Sequence, residues 1–145
     1  MQPRILIAED RASMRNTLRN LFTLYSKLAV CDQAIDGQEA IDAAVALKPD
    51  LVLLDFKMPN GNGLWAASKI NQKLPEMPIV IFTIHKTAEL ESEARKVGVR
   101  AVVGKEEGFI KLLRTIQDEL AQPVIVDEPQ VPRGSEPSRP NDVSA

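Results

Sequence analysis

Five polar or charged side chains stand directly after short apolar runs of the sequence: Glu9, Asp10, Asp55, Thr83 and Lys105. Carboxylates gathered within a few ångströms repel one another unless a cation or an ammonium group offsets their charge. Mg²⁺ commonly binds one or two carboxylates, keeps several waters and accepts phosphoryl oxygens as further ligands. These residue types therefore favour a shallow magnesium site for phosphoryl chemistry, without cysteine or histidine ligands.

The apolar runs before these side chains predict the strands that would bring them together. Residues 5–8, 51–54, 79–82 and 101–103 are apolar without alternation, as in a parallel sheet covered by helices on both faces. A weaker run at 29–34 supplies a fifth strand. Since ligands of such sheets bind beyond the carboxyl ends of the strands, the five side chains should converge on one edge.

Segments with apolar residues at helical spacing separate the runs. The predicted helices contain residues 14–25, 40–47, 64–74, 88–97 and 109–120. Strand then helix, five times over, predicts an α/β fold with a doubly wound five-stranded parallel sheet. Five units favour the flavodoxin-like strand order over the Rossmann-like one. We also expect Tyr25 and Trp65 to be packing residues, and Cys31 to be a small buried residue.

Composition excludes several function classes. Hydrophobic residues make up 44% and charged residues 26% of the 145-residue chain, as in ordinary globular proteins. The net charge is -2 and no basic run is present, so direct DNA binding is not expected. The single cysteine, Cys31, and the absence of a long apolar stretch predict a cytoplasmic protein that does not contact a membrane.

The distribution of prolines predicts a domain and an extension. Residues 1–121 carry the strand and helix patterns, whereas 122–145 are rich in Pro, Ser and charged residues with few apolar anchors. The expected organisation is one domain at 1–121 followed by a disordered Pro-rich tail at 122–145.

Four motifs and one lysine carry a family resemblance. They are ILIAED at 5–10, DGQEA at 36–40, DLVLLDFKMPNGNG at 50–63, PIVIFT at 78–83, and Lys105. Together they resemble the receiver domain of bacterial two-component response regulators, in its single-domain form, over residues 1–121. The resemblance implies a phosphoacceptor protein of a phosphorelay rather than an enzyme acting on other substrates; it would catalyse only its own phosphorylation and dephosphorylation.

The resemblance also implies roles for the polar side chains. Asp55 would receive the phosphoryl group from a histidine kinase or a phosphotransfer protein, and Thr83 and Lys105 would contact the phosphoryl oxygens. Four groups would bind Mg²⁺: the side chains of Glu9, Asp10 and Asp55, and the backbone carbonyl of Lys57. An output protein, not identifiable from the sequence, would read the phosphorylation state, and homodimers are possible through the fourth helix, fifth strand and fifth helix.

Several positions depart from the family pattern. Ile84 replaces a small residue after Thr83, His85 follows it, Val102 replaces an aromatic residue, and Glu106 replaces proline. These departures permit an alternative: an adaptor of the same fold that acts independently of phosphorylation.

A third hypothesis, a metal-dependent phosphatase, is disfavoured because Lys57 occupies the second position of the D-x-D pair that such enzymes use.

Overall fold

The structure is a computed structural model that describes residues 2–120; the tail predicted at 122–145 lies outside the described residues. Strands and helices alternate along the chain. They are β1 (Arg4–Ala8), α1 (Ala12–Tyr25), β2 (Ala29–Ala34), α2 (Gly37–Leu47), β3 (Leu51–Leu54), α3 (Gly63–Lys73), β4 (Ile79–Thr83), α4 (Ala88–Lys96), β5 (Ala101–Gly104) and α5 (Phe109–Leu120). A short 3₁₀ turn, Lys105–Glu107, joins β5 to α5.

The strands form one parallel sheet in the order β2-β1-β3-β4-β5. This is the predicted flavodoxin-like order, with the chain reversing direction across the sheet between β1 and β3. The strand ends are in register, because Ala8 lies opposite Leu54, and Thr83 lies opposite Gly104. The residues that follow these strands therefore leave the sheet side by side at its carboxyl edge.

Two apolar layers cover the sheet, because successive side chains of a strand point to opposite faces. Leu54 of β3 packs in the layer formed with α2, α3 and α4. Its neighbour Leu53 packs in the other layer, with Phe22 of α1 and Ile116 of α5. Burying one such aliphatic side chain stabilises the fold by about 1.5–3 kcal/mol, so the unbroken apolar strands follow from burial on both faces.

Side-chain caps begin three of the helices. Asp36, Asn62 and Thr87 each accept a hydrogen bond from the backbone N–H three residues later, at the starts of α2, α3 and α4. Such caps satisfy amide groups that have no partner within the helix. Two of these helix starts, α2 and α3, flank the predicted site, so the caps also fix the loops that reach it.

The predicted burial of Cys31 needs correction, because this residue is only half-buried. Tyr25 and Trp65, the predicted packing residues, lie at the margin of the fold and are 36% and 39% exposed. Helical spacing identifies an apolar face but does not show whether a residue at its margin is covered. Among residues 2–120, no helix combines the length and the apolar character needed to cross a bilayer.

Candidate functional site

Glu9 lies directly after β1 and is 2% exposed. Its carboxylate accepts hydrogen bonds from the backbone N–H of Arg11 at 3.1 Å and from the Lys105 ammonium at 2.8 Å. Arg15 donates to the Glu9 carbonyl oxygen at 2.8 Å, and the Arg11 side chain lies 3.6 Å from the carboxylate. These two arginines, which the sequence analysis did not single out, hold the chain after β1 in place.

Asp55 lies directly after β3 and is 8% exposed. Its backbone N–H donates to the Ala8 carbonyl at 2.9 Å, which places it beside the end of β1. One carboxylate oxygen accepts the backbone N–H of Phe56 at 2.7 Å, and the other accepts the Lys105 ammonium at 3.1 Å. The carboxylate is thus oriented from both sides.

Carboxylate oxygens of Glu9, Asp10 and Asp55 all lie within 4.8 Å of one another. The sequence analysis predicted this convergence, and the structure confirms it. Burial, followed by the neighbouring Asp55, raises the pKa of Glu9, while the hydrogen bond from Lys105 opposes the rise. Three carboxylates so close, offering oxygen atoms alone, form a donor set of the kind that hard divalent cations bind.

Lys105 begins the turn after β5, and its side chain is 8% exposed. Its ammonium bridges Glu9 and Asp55, and it also lies 5.9 Å from the ring centroid of Phe82. Arg11, the other basic side chain near Glu9, is 57% exposed. Among residues 2–120, Lys105 is therefore the one buried basic side chain in an ion pair with these acids. The Lys105 ammonium thus lies on the buried side of the cluster with Glu9 and Asp55, and Asp10 lies on the exposed side.

Thr83 ends β4 and is fully buried. Its hydroxyl oxygen accepts the backbone N–H of His85 at 3.1 Å, so the hydroxyl proton remains for another acceptor. Thr83 lies opposite Gly104, the residue before Lys105, in the β4–β5 pairing. The threonine and the lysine therefore belong to adjacent strand ends, as predicted.

A cleft of about 260 Å³ opens above the acids. Asp55 lies in it, and Lys57, Ile84 and His85 form part of its wall. Ile84 is 62% exposed, so this bulky residue stands at the rim and does not fill the cleft. Val102, at the other departure from the family pattern, is half-buried against the apolar layer of α2, α3 and α4.

The loop between β3 and α3 is clamped onto the start of α2. Asp36 accepts a hydrogen bond from the Asn60 side chain at 2.9 Å while it caps α2. The backbone N–H groups of Gly37 and Gln38 donate to the carbonyls of Pro59 and Asn60, at 3.3 and 3.1 Å. The hydrogen bond from the Asn60 amide, followed by that from the Glu39 backbone N–H, lowers the pKa of Asp36. Sequence analysis missed this clamp, although Asn and Gly at 60 and 61 are typical of a turn with positive φ.

Gly63 closes the same loop. Its backbone N–H donates to the Phe56 carbonyl at 2.6 Å. A Cβ at this position would overlap the Asp55 carbonyl oxygen and lie 2.9 Å from the Phe56 Cα. Only glycine lets the loop fold back so tightly behind Asp55.

A second tie joins the loop after Thr83 to the turn after β5. The Lys86 ammonium lies 2.8 Å from the Glu107 carboxylate, which also accepts the Gly104 backbone N–H at 2.8 Å. Their hydrogen bond raises the pKa of Lys86 and is the largest cause of the lowered pKa of Glu107. The segment that follows Thr83 is thereby connected to the segment that carries Lys105.

Comparison with known proteins identifies the family. Residues 5–117 match the response regulator receiver domain, so the chain belongs to the receiver domain family of two-component response regulators. The resemblance drawn from the sequence motifs is confirmed.

Two relatives and one solved structure illustrate this membership. The transcriptional regulatory protein PdtaR of Mycobacterium tuberculosis is 38% identical over 114 residues, which cover 79% of this chain and 55% of that protein. A protein-glutamate methylesterase/protein-glutamine glutaminase of Thermotoga maritima is 32% identical over 123 residues, covering 83% and 36%. The response regulator domain of Thermotoga maritima CheB superimposes with a TM-score of 0.77 at 28% identity, covering 88% of this chain and 100% of that one. The chain thus spans about a third to just over half the length of the two relatives.

Proposed function

We propose that this receiver domain is a phosphorylation-dependent switch in which Asp55 accepts the phosphoryl group. One observation carries the proposal: the buried Asp55 carboxylate faces an open cleft with the Lys105 ammonium 3.1 Å away and two further acids beside it. Phosphoryl transfer requires a positioned acceptor and positive charge around the transferred oxygens, more than covalent help from the protein. The cluster supplies an acceptor, a cation and a site for a second cation.

The proposed donor is a phosphohistidine of a histidine kinase or of a phosphotransfer protein. An oxygen of Asp55 attacks the phosphorus, the new O–P bond forms as the P–N bond breaks, and the imidazole leaves with the electron pair. Asp55 is already oriented by the Phe56 N–H, so little reorganisation precedes attack. The product is an acyl phosphate on Asp55.

The donor set fits Mg²⁺, because Lys105 pairs with only two of the three carboxylates, Glu9 and Asp55, and the third, Asp10, lines the cleft. Glu9, Asp10, Asp55 and the backbone carbonyl of Lys57 would hold the ion. When bound, Mg²⁺ neutralises the carboxylates and the phosphoryl oxygens.

Lys105 and Thr83 have separate roles in this proposal. Lys105 offsets the added negative charge from the buried side of the cluster. Thr83 has a hydroxyl proton to donate to a phosphoryl oxygen, and its oxygen is hydrogen-bonded to the His85 N–H. Movement of the hydroxyl toward the phosphoryl group would therefore draw the start of the β4–α4 loop with it.

The output partner would bind the surface that this movement changes, the α4-β5-α5 face, which is also the proposed homodimer surface.

The protein would act in the cytoplasm, without binding DNA or membrane, and without enzymatic activity beyond its own phosphorylation and dephosphorylation. This chain covers only 36% of the methylesterase relative, so the proposed function includes no methylesterase activity. The domain would comprise residues 1–121.

Incubation with acetyl phosphate and Mg²⁺, followed by intact-mass measurement, tests the proposal. Wild type should gain the mass of one phosphoryl group, and Asp55→Asn should gain none. Asp118→Asn is the matched control, since Asp118 is an exposed acid on α5 and should leave labelling unchanged. No mass gain in the wild type, with a cognate kinase also failing, would refute phosphorylation at Asp55.

Fluorescence distinguishes the switch from the phosphorylation-independent adaptor. Trp65 lies against Gly61 in the loop that leaves Asp55, so its emission should report changes at the site. Beryllofluoride with Mg²⁺ should alter that emission in wild type and not in Asp55→Ala. The adaptor hypothesis predicts no change, together with pull-down of the same partners by wild type and Asp55→Ala.

A further inference from the structure

A groove of about 390 Å³ lies at the edge of the sheet opposite the acidic cluster. Its walls are the segments that precede β3 and β4, and its apolar part consists of Pro49, Leu74, Pro75, Met77 and Pro78. The proposed phosphorylation makes no use of this groove. An extended peptide segment can bind such a groove by placing apolar side chains in it.

The carboxyl end of α5 reaches the wall of this groove. Helices of the fold run antiparallel to the strands, so α5 ends at the edge where the strands begin. The Arg100 guanidinium lies 3.7 Å from the Glu119 carboxylate in the last turn of α5. The same group donates a hydrogen bond to the carbonyl of Glu76, a groove residue, at 3.2 Å. One arginine side chain therefore spans the gap between α5 and the groove.

The sequence that follows α5 contains an apolar segment of suitable length. Val124, Ile125 and Val126 are consecutive branched aliphatic residues in an otherwise polar, Pro-rich stretch. An extended chain covers about 3.3–3.6 Å per residue, so the four residues from Leu120 to Val124 reach about 14 Å. That reach exceeds the length of the Arg100 side chain, which already joins α5 to the groove wall.

Two lysines at the groove are opposite in charge to the acids of the same segment. Lys48 and Lys73 line the groove, and neither is in an ion pair within the described part of the chain. Asp127 and Glu128 follow the aliphatic triplet directly. The groove also contains two acids, Asp50 and Glu76, and the Asp50 carboxylate accepts the backbone N–H of Arg4 at 2.7 Å.

We propose that residues 123–128 of this chain bind in the groove between the segments preceding β3 and β4. Val124 to Val126 contact the apolar part formed around Leu74 and Met77, and Asp127 and Glu128 lie near Lys48 and Lys73. This interaction is independent of the phosphorylation of Asp55, because groove and site lie at opposite edges of the sheet.

Methionine methyl resonances of the full-length protein, labelled with ¹³C, test the proposal. Met77 lies in the groove, whereas Met58 and Met14 lie elsewhere in the fold and serve as internal references. Ile125→Asp should shift the Met77 methyl resonance and leave those of Met58 and Met14 in place. Val131→Asp introduces the same charge farther along the chain and should leave all three unchanged. An unmoved Met77 resonance in Ile125→Asp, or an equal shift in Val131→Asp, overturns the proposal.

Charge reversal separates binding from a general structural effect. Lys48→Glu combined with Lys73→Glu should reproduce the Met77 shift, and adding Asp127→Lys and Glu128→Lys should restore the wild-type resonance. Failure of this restoration argues against the proposed contacts. If the Met77 resonance instead depends on protein concentration, the groove binds the segment of a second copy, and binding within one chain is disproved.

Discussion

The two edges of the sheet differ in how deeply their charged contacts are buried. At the amino edge, where the strands begin, the Arg4 guanidinium donates to the carbonyls of Leu47 and Lys48 at the end of α2. Arg100 donates to the carbonyl of Glu76 at the same edge, and its ion pair with Glu119 is partly exposed. At the carboxyl edge, charges meet charges, with Lys105 between Glu9 and Asp55.

This difference separates stability from function. A guanidinium at a helix end satisfies carbonyl groups that have no partner, and much of it remains in water. A buried cluster of ionised groups carries a desolvation cost that often exceeds the mutual attraction of the charges. Such a cluster is poorly explained as a stabilising feature and is typical of functional sites. Changes of charge at the amino edge should therefore leave the phosphorylation of Asp55 unchanged, whereas changes of charge at the carboxyl edge should impair it.

Among variants that keep the phosphoacceptor, the largest effect is expected from Lys105→Met, which removes the ammonium and keeps the apolar stem. Loss of one preorganised charge at a developing anion typically lowers a rate about 10²-fold, or about 2.7 kcal/mol. The pKa of Glu9 should rise further, because the Lys105 hydrogen bond is the main influence that lowers it. The rate of labelling by acetyl phosphate, followed by intact mass, measures the loss.

Lys111→Met provides the comparison for this variant, since Lys111 is an exposed lysine on α5. It should label at the wild-type rate. If Lys105→Met also labels at that rate, the buried ion pairs are structural and the contrast between the two edges fails.

Met77→Ala at the amino edge should show the converse result. Met77 is 8% exposed, and truncating a buried methionine costs about 2 kcal/mol of unfolding free energy when the cavity collapses in part. Labelling of Asp55 should be unchanged, because the groove and the acidic cluster are at opposite edges of the sheet. Urea unfolding gives the stability, and the mass assay gives the labelling rate. A labelling defect in the folded variant would show that the edges are coupled.

Gly63→Ala should affect both stability and labelling. The added methyl meets backbone atoms of Asp55 and Phe56, which cannot rotate away as a side chain can. Overpacking of this kind costs about 1–3 kcal/mol, here with displacement of the phosphoacceptor itself. Gln72→Ala, on the exposed surface of α3, is the control for urea unfolding and labelling. If Gly63→Ala is destabilised but is labelled at the wild-type rate, phosphorylation of Asp55 tolerates the displacement caused by the added methyl group.

The sequence allowed the sheet and the acidic cluster to be predicted for one physical reason. Strands buried on both faces are apolar throughout, so runs such as 51–54 mark strand ends directly, and parallel ends meet at one edge. Local spacing did not reveal exposure, which is why the sequence did not predict that Tyr25 and Trp65 are partly exposed.

The clamp between Asp36 and Asn60 shows the second limit of sequence analysis. The two residues are 24 positions apart, and their contact depends on the left-handed conformation of Asn60, with a φ of 50°. A turn residue at 60 is predictable from its type, but the helix start that it meets is not.

The smallest effect is expected from Asp36→Asn, and it depends on pH. Hydrogen bonds from Asn60 and from the Glu39 N–H lower the pKa of Asp36 below its ordinary value of 3.8. A lowered pKa in the folded state stabilises the fold above the unfolded value, and this contribution disappears as the pH falls through the folded value. The asparagine keeps the cap but has no charge to protonate.

The stability difference between wild type and Asp36→Asn should thus be greatest near neutral pH and shrink between about pH 5 and pH 2. Thermal unfolding across that range measures it, and a difference that grows on acidification would show that the clamp does not depend on the ionised carboxylate.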